Sequence, residues 1–274
     1  MDGYKHRKEK YAHEITLELY KKGFIQTLWN TSSKEHAEKG WEFKSKIWSP
    51  LYINLRPVGD EPELVEKIGK ALSLIFINEL TDCNKIVGIE MPGIPLTAAV
   101  SVAGRMLRGD EIPYLYTRPL PEKVRTLEEA CLLLTRVRAG EYGEKYFLEG
   151  RLGNGDSLAF VDDVAVDFES KLIAREIIKM EMQNRHVFVR CDHALVVFDY
   201  EWDATKNAQE AGMDLHSLVP LRSKGLGWLR AEMKDEEHFI LEDYLNNPGF
   251  YQDEKIRKEL LREVKRSRKD ISKF

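Results

Sequence analysis

The stretch SLAFVDDVAVDFESK, residues 157–171, contains an apolar strand that ends in two adjacent carboxylates, Asp162 and Asp163, and leads through a short turn into a predicted helix. This arrangement is typical of nucleotide-binding loops, in which the turn cradles a phosphate. Such a turn needs glycine for backbone room and hydroxyl side chains for hydrogen bonds, whereas residues 166–169 are Val, Asp, Phe and Glu. The stretch therefore indicates an α/β fold and leaves open which ligand the turn can bind.

Short apolar runs alternate with helical patterns along the rest of the chain. KIVGIE (85–90) comes before a predicted helix at about 94–108, and ALVVFD (194–199) comes before one at about 203–211. Strand, helix and strand in this order predict right-handed crossovers and an α/β fold with a mainly parallel central sheet flanked by helices. Further helices are predicted at 12–22, 61–80 and 169–182.

Several acids fall where these strands end. In such sheets ligands bind at the carboxyl ends of the parallel strands. The acids at those positions are Glu90, Asp162, Asp163 and Asp199. We therefore predict a ligand site there, although an aspartate just before a helix is also a common N-cap, and this second interpretation of Asp163 stays open.

The composition limits the class of protein. The chain has 274 residues, of which 43% are hydrophobic and 32% charged, with a net charge of −4. This suits one large or two modest globular domains. The longest apolar run, 72–77, is too short to span a bilayer, and the polar N-terminus has no signal-peptide pattern. We expect a cytoplasmic protein with no membrane partner, for which nucleic acid is disfavoured.

The cysteines and histidines give no metal-ligand pattern. Cys83, Cys131 and Cys191 are widely separated, which excludes a disulfide framework and offers no ligand spacing. The histidines form no HxxxH or HxH pattern, and His186 and His193 bracket an apolar stretch where packing or surface exposure is favoured over ligation. We therefore expect no metal held directly by the protein.

Two regions stand apart from the predicted core. Residues 119–142 carry basic side chains and Gly140, which is compatible with a mobile flap. The alternative is a surface insertion whose helix, 127–137, docks through Leu132, Leu133 and Leu134. Near the C-terminus, KIRKELLREVKRSRKD (255–270) has an apolar stripe that favours a packing helix over a nucleic-acid arm.

Four ordered segments resemble the type I phosphoribosyltransferases, and most closely the orotate phosphoribosyltransferases. The resemblance covers most of residues 20–220. It identifies the chain as a suspected relative with a degenerate phosphate loop and flap. The segments are WEFKSKIWSPLYINLR (41–56), VGIEMPGIPLTAAVSVA (87–103), YLYTR (114–118) with EYGEKYFLEGRLGNGDSLAFVDDV (141–164), and ALVVFDYEWDATKNAQEAGMDLHSLVPL (194–221).

The resemblance implies a division of the chain and an activity. It implies a base-side segment at 1–60, a core at 61–222 with the flap at 119–142, and a helical extension at 223–274. The implied reaction moves ribose 5-phosphate from phosphoribosyl pyrophosphate, which carries Mg²⁺, to a ring nitrogen in pyrimidine metabolism. A homodimer is also implied, with a small-molecule sugar phosphate or nucleotide as ligand.

Site residues follow from the matched positions. The paired acids favour the cationic sugar of the transition state, while loop amides and flap cations neutralise the departing pyrophosphate. The resemblance assigns catalytic roles to Asp162, Asp163, Arg118 and Arg136. It assigns substrate-binding roles to Lys44, Glu90, Met91, Pro92, Gly93, Asp167, Ser170 and Tyr200.

Departures from the family pattern leave the activity open. The family's Thr-Thr-Gly-Gly-like phosphate loop is replaced at 166–169, the flap lysines are missing, and Tyr200 stands where orotate enzymes have an arginine. A carboxylate about 5 Å from a phosphate costs roughly 3 kcal/mol at an effective dielectric near 20. Three interpretations follow: a working transferase, an inactive relative that binds a nucleotide, nucleoside or protein partner, and, more remotely, a nucleic-acid accessory protein.

Overall fold

The computed structural model describes residues 2–109, 111–143 and 146–271. The chain forms two compact units. The first contains Met1–Ala12 and Arg56–Pro220, and the second contains His13–Leu55 and Leu221–Phe274. The second unit thus combines stretches that the sequence divides between segments 1–60 and 223–274, and the three-part division itself stays a prediction.

Helices and strands alternate through the first unit, whereas the second contains short strand pairs and several helices. Numbered along the chain, the helices are α1 (Asp2–Lys21), α2 (Lys34–Lys39), α3 (Pro62–Glu79), α4 (Gly93–Arg108), α5 (Leu127–Arg138), α6 (Glu169–Arg185), α7 (Ala204–Glu210), α8 (Leu226–Trp228), α9 (Asp235–Asn246) and α10 (Glu254–Ile271). The strands are β1 (Ile25–Thr27), β2 (Trp41–Glu42), β3 (Trp48–Ser49), β4 (Leu51–Ile53), β5 (Lys85–Gly88), β6 (Tyr114–Thr117), β7 (Leu148–Glu149), β8 (Ser157–Ala165), β9 (Arg190–Asp199) and β10 (Asp214–Pro220).

The first unit is built on a six-stranded sheet in the order β10–β9–β8–β5–β6–β7. The first five strands in that order pair in parallel, and β7 pairs antiparallel with β6 at the edge. Residues 158–161 and 194–198 are fully buried, as expected for parallel strands covered on both faces. The predicted mainly parallel sheet flanked by helices is therefore confirmed.

Most predicted helices are observed, but two boundaries differ. The predictions at 61–80, 94–108, 169–182 and 203–211 correspond to α3, α4, α6 and α7. Helix α1 begins well before the predicted residue 12. Strand β8 does not end at the aspartate pair, because its pairing with β9 continues from Asp162, opposite Val196, to Ala165, opposite Asp199.

The region 119–142 contains a docked helix. Thr126 and Glu129 form a capping box at the start of α5. Leu134 and Val137 pack in a small core cluster with Phe147 and with side chains of α6. The docked alternative is therefore supported, with one correction: Leu133 and Leu134 are buried, whereas Leu132 is 65% exposed.

The second unit has its own buried polar centre. The Glu237 carboxylate on α9 accepts hydrogen bonds from Thr27 Oγ1 (2.5 Å) and Tyr20 Oη (3.0 Å), and burial raises its pKa. Helix α10 buries Leu260 and Val264, in agreement with the expected packing helix. Among the helices that the structure describes, none is long and apolar enough to cross a membrane.

Candidate functional site

The loop after β5 lies directly against β8. The Ile89 N–H donates to the carbonyl of Val161 (3.0 Å), and the Gly93 N–H donates to the carbonyl of Ile89 (2.9 Å). A Cβ on Gly93 would overlap the Val161 carbonyl oxygen, so this approach needs glycine. The loop predicted to bind pyrophosphate therefore lies beside the residue that precedes Asp162. Gly93 and the aspartate pair therefore lie at the same end of the sheet, and their roles stay predictions.

The remaining loop residues are arranged around that contact. The Glu90 N–H donates to Thr117 Oγ1 at the end of β6 (3.0 Å). The Glu90–Met91 peptide bond is cis, the Met91 side chain is exposed, and Pro92 is the residue before α4. Their substrate-binding roles stay predictions.

Asp162 is paired with a buried lysine that sequence reasoning missed. Lys171 is 1% exposed, and its Nζ donates to Asp162 Oδ2 (2.7 Å), the Val164 carbonyl (2.5 Å) and Ser170 Oγ (3.2 Å). These bonds use all three donors of the ammonium. Ser170 Oγ also donates to Asp162 Oδ2 (3.2 Å), and Asp162 Oδ1 accepts the N–H of Asp163 (3.0 Å). Both carboxylate oxygens of Asp162 are thus bonded within the protein.

Asp163 has a different environment from its neighbour. Its Oδ1 accepts the N–H of Val164 (2.8 Å). Loss of hydration, together with the negative charge of Asp162, raises the pKa of Asp163 to about 7, and Lys171 opposes this shift. Burial also raises the pKa of Asp199, which ends the adjacent strand. This end of the sheet therefore holds Asp162, whose charge is compensated by Lys171, and two carboxyl groups with raised pKa values, Asp163 and Asp199.

The turn before α6 is already occupied by its own carboxylate. Asp167 Oδ1 accepts the N–H of Glu169 (3.0 Å), and the Asp167 carbonyl accepts a bond from Asn207 Nδ2 (2.8 Å). Phe168 adopts a left-handed backbone with φ of 75°, and its side chain is buried in the main core cluster. A bound phosphate would need the amide that Asp167 occupies.

The donors at this edge fit a protein-held Mg²⁺ poorly. Mg²⁺ requires oxygen ligands in near-octahedral geometry. Asp162 Oδ2 is held by Lys171 and Ser170 and its Oδ1 accepts the Asp163 N–H, while burial raises the pKa of Asp163 and disfavours the ionised form that a metal ligand needs. Mg²⁺ is therefore not expected to be held by these side chains alone.

The predicted flap cations both have partners. The Arg118 guanidinium lies 3.4 Å from Glu149, and Arg136 lies 3.1 Å from Glu122 and 2.7 Å from Glu141. The Arg136 guanidinium also stacks over the Tyr142 ring, whose hydroxyl bonds to Glu122. A catalytic role for either arginine would require it to leave these carboxylates, and both roles stay predictions.

Two further predicted substrate-binding residues differ in burial. Lys44 is exposed in the turn between β2 and β3 of the second unit. Tyr200 is fully buried after β9, where its ring contacts Trp202. The Tyr200 side chain is therefore part of the core, and the substrate-binding roles of Lys44 and Tyr200 stay predictions.

A sequence signal for Lys171 does exist. Residues 171, 174, 178 and 181 follow helical spacing, and all four are buried on one face of α6. Charged residues at both ends of an apolar stripe indicate buried ion pairs. Glu181 provides the second case, because it bonds to Arg185 (2.8 Å) and to the Phe147 N–H (2.8 Å).

Comparisons with known proteins give relatives of one kind. The chain is similar to the orotate phosphoribosyltransferases of Methanocaldococcus jannaschii (25% identity over 175 residues, 64% of this chain and 80% of that protein) and Roseobacter denitrificans (26% over 229 residues, 80% and 86%). It is also similar to the uridine 5'-monophosphate synthase of Bos taurus (24% over 178 residues, 65% of this chain). The match spans 31% of the bovine protein. No protein-family model matches the chain.

Solved structures share the fold. UMP synthase from Leishmania donovani gives a TM-score of 0.62 at 17% identity, covering 86% of this chain and 42% of that one. Orotate phosphoribosyltransferase from Aeropyrum pernix gives a TM-score of 0.54 at 20% identity, and the match covers 78% of this chain and 98% of that one. At these identities the likeness concerns the fold alone.

Proposed function

The chain is a distant relative of the orotate phosphoribosyltransferases, and on this premise we propose that it binds a pyrimidine nucleoside at the edge formed by Gly93, Asp162 and Asp163 without transferring phosphoribosyl groups. The observation that carries the proposal is the buried ion pair between Lys171 and Asp162. Sequence similarity supports the ligand class, and the ion pair supports the loss of transfer.

The ion pair removes the electrostatic basis of the transfer reaction. A cationic sugar is stabilised by free carboxylates near its anomeric carbon. Lys171 cancels the charge of Asp162. Losing the attraction of one carboxylate about 5 Å from the sugar cation costs roughly 3 kcal/mol at an effective dielectric near 20, which corresponds to a rate loss of about a hundredfold.

The turn disfavours a 5-phosphate on the ligand. Asp167 already accepts the Glu169 N–H, and both side chains carry negative charge beside that amide. A phosphate would have to displace the Asp167 carboxylate from that amide and would be repelled by the Glu169 carboxylate. An uncharged nucleoside avoids this repulsion, while its ribose hydroxyls can bond to Asp163 and to the loop around Gly93.

Phosphoribosyl transfer is the second candidate, with Mg²⁺ brought by the substrate. The position of the Gly93 loop after β5 and beside β8 favours it, because ligands bind at this end of a parallel sheet. The paired state of Arg118 and Arg136 and the neutralised Asp162 weigh against it.

We also propose that the protein acts in the cytoplasm as a homodimer, as the resemblance implies. An apolar surface on α4 supports the dimer: Val102, Met106 and Leu107 are all exposed, and Met106 is 71% exposed. Exposed apolar residues one turn apart on a helix are typical of an interface.

Calorimetric titration of the full chain with uridine, ribose 5-phosphate and Mg²⁺–phosphoribosyl pyrophosphate tests the proposal. We expect uridine to bind at least tenfold more tightly than either phosphate. Substitution of Asp167→Asn with Glu169→Gln should raise ribose 5-phosphate affinity tenfold or more, whereas the control Glu176→Gln on α6 should not change it. Conversion of orotate and phosphoribosyl pyrophosphate to product by the purified chain would establish the second candidate instead.

A further inference from the structure

A cluster of potential metal ligands lies at the opposite edge of the sheet, where the parallel strands begin. Asp82 and Cys83 occupy the turn between α3 and β5, and His193 lies near the start of β9. One ligand atom from each of these residues lies within 4.8 Å of the other two. The turn thus brings an oxygen and a sulfur from adjacent residues close to a nitrogen on a strand that is far away in sequence.

A chain of hydrogen bonds fixes the orientation of His193. Glu79 Oε2 lies 3.0 Å from His216 Nδ1, and His216 Nε2 lies 3.2 Å from His193 Nδ1. The Glu79 carboxylate also accepts bonds from Lys8 Nζ (2.8 Å) and from the Tyr4 hydroxyl. Because a carboxylate only accepts, the proton between Glu79 and His216 belongs to His216 Nδ1.

The hydrogen bonds of His216 and His193 leave a lone pair of His193 facing Asp82, where a cation would be stabilised. When His216 is neutral and donates from Nδ1 to Glu79, it accepts at Nε2, so His193 donates from Nδ1 and carries a lone pair on Nε2. His193 Nε2 lies 3.2 Å from Asp82 Oδ1. In this tautomer two acceptors face each other, an arrangement that a cation bound between them stabilises, and the Cys83 sulfur lies beside them.

From this geometry we propose that Asp82, Cys83 and His193 form a binding site for a zinc-class divalent cation, oriented by His216 and Glu79. Imidazole, thiolate and carboxylate together suit Zn²⁺, whereas Mg²⁺ and Ca²⁺ prefer oxygen ligands. A histidine ligand whose second nitrogen donates to a carboxylate-linked partner is the usual supporting arrangement. Three protein ligands leave a fourth position for solvent or substrate.

Neighbouring charges and the ligand spacing are compatible with the site. Arg190 lies 3.8 Å from Asp82 and is 54% exposed, so a metal displaces only a weak surface pair. Asp214 lies 4.0 Å from His193 Nδ1 and adds negative charge. Zinc bonds of about 2.0–2.3 Å in a tetrahedron place ligand atoms roughly 3.3–3.7 Å apart. Asp82 Oδ1 and His193 Nε2 already lie at 3.2 Å, and all three ligand atoms lie within 4.8 Å of one another.

Cobalt titration of the full chain tests the site, because Co²⁺ bound to a thiolate gives a charge-transfer absorption. We expect this absorption in the natural protein and its loss on addition of Zn²⁺. Cys83→Ser should abolish it, whereas Cys131→Ser, which removes an exposed thiol elsewhere, should retain it.

Zinc affinity measured by competition provides a second readout that does not need the thiol. His216→Gln should weaken zinc binding about 10–100-fold, as expected for a supporting residue, and Asp82→Asn should weaken it at least as much. The proposal is overturned if the natural protein gives no thiolate–cobalt band, if Cys83→Ser retains it, or if Asp82→Asn binds zinc as tightly as the natural protein.

Discussion

Lys171 determines what the aspartates of β8 can do. Its ammonium is enclosed by three acceptors, so the charge is buried and fully compensated. Removing one partner of such a pair leaves the other as an unpaired buried charge, which costs about 3–5 kcal/mol. The same pair therefore controls both the electrostatics of the candidate site and the stability of the first unit.

Substitution of Lys171→Met should lower the free energy of unfolding by about 3–5 kcal/mol, because Asp162 would keep its charge without a counterion. The double variant Lys171→Met with Asp162→Asn should recover most of this loss. Urea unfolding measures both. Lys179→Met on the same helix is the control, since its lysine is half exposed, and it should change stability by less than about 0.5 kcal/mol. Equal effects at positions 171 and 179 would contradict a compensated buried pair.

Sequence reasoning at the residue scale identified positions but not partners. Gly93, Asp162 and Asp163 could be placed together because the ends of parallel strands meet at one edge. The ion-paired state of Asp162 could not be predicted, because it depends on Lys171, which lies nine residues later and whose side chain reaches back to Asp162. The cluster of Asp82, Cys83 and His193 was missed for the same reason: His193 lies on a strand far in sequence from the turn that holds the other two residues, and spacing along the chain carries no signal.

Helices α1 and α5 illustrate what local pattern can and cannot predict. The periodic helices α3, α4 and α6 were predicted because their apolar spacing is a local property. The first ten residues of α1 are polar and lack such spacing. They are held by bonds from Tyr4 and Lys8 to Glu79, which lies more than seventy residues away.

Helix α5 should unfold together with the sheet rather than as a separate flap. Leu134 is buried in the cluster that joins α5 to α6, so Leu134→Ala should lower the free energy of unfolding by about 2–5 kcal/mol. Leu132→Ala, on the exposed face of the same helix, should change it by less than about 0.5 kcal/mol. Thermal unfolding followed by circular dichroism distinguishes them, and matching curves for the two variants would indicate an independently mobile flap.

At the scale of the whole molecule, the exposed side chains of α4 predict self-association. The natural chain has a mass of 31.8 kDa and should sediment as a dimer. Met106→Glu should shift it to the monomer, because a charge placed in an apolar interface is desolvated without a partner. Phe188→Glu, at another exposed apolar position, should leave the dimer intact. A natural protein that sediments as a monomer at tens of micromolar would exclude this use of α4.

The left-handed backbone of Phe168 limits which substitutions the turn can accept. Its left-handed conformation is one that glycine adopts freely, whereas another residue pays about 1–2 kcal/mol for it. Yet the ring of Phe168 fills the main core, and emptying such a site costs about 3–5 kcal/mol. Phe168→Gly would thus relieve backbone strain and still lower the stability of the protein. A single substitution toward a glycine-bearing phosphate loop is therefore destabilising at this position.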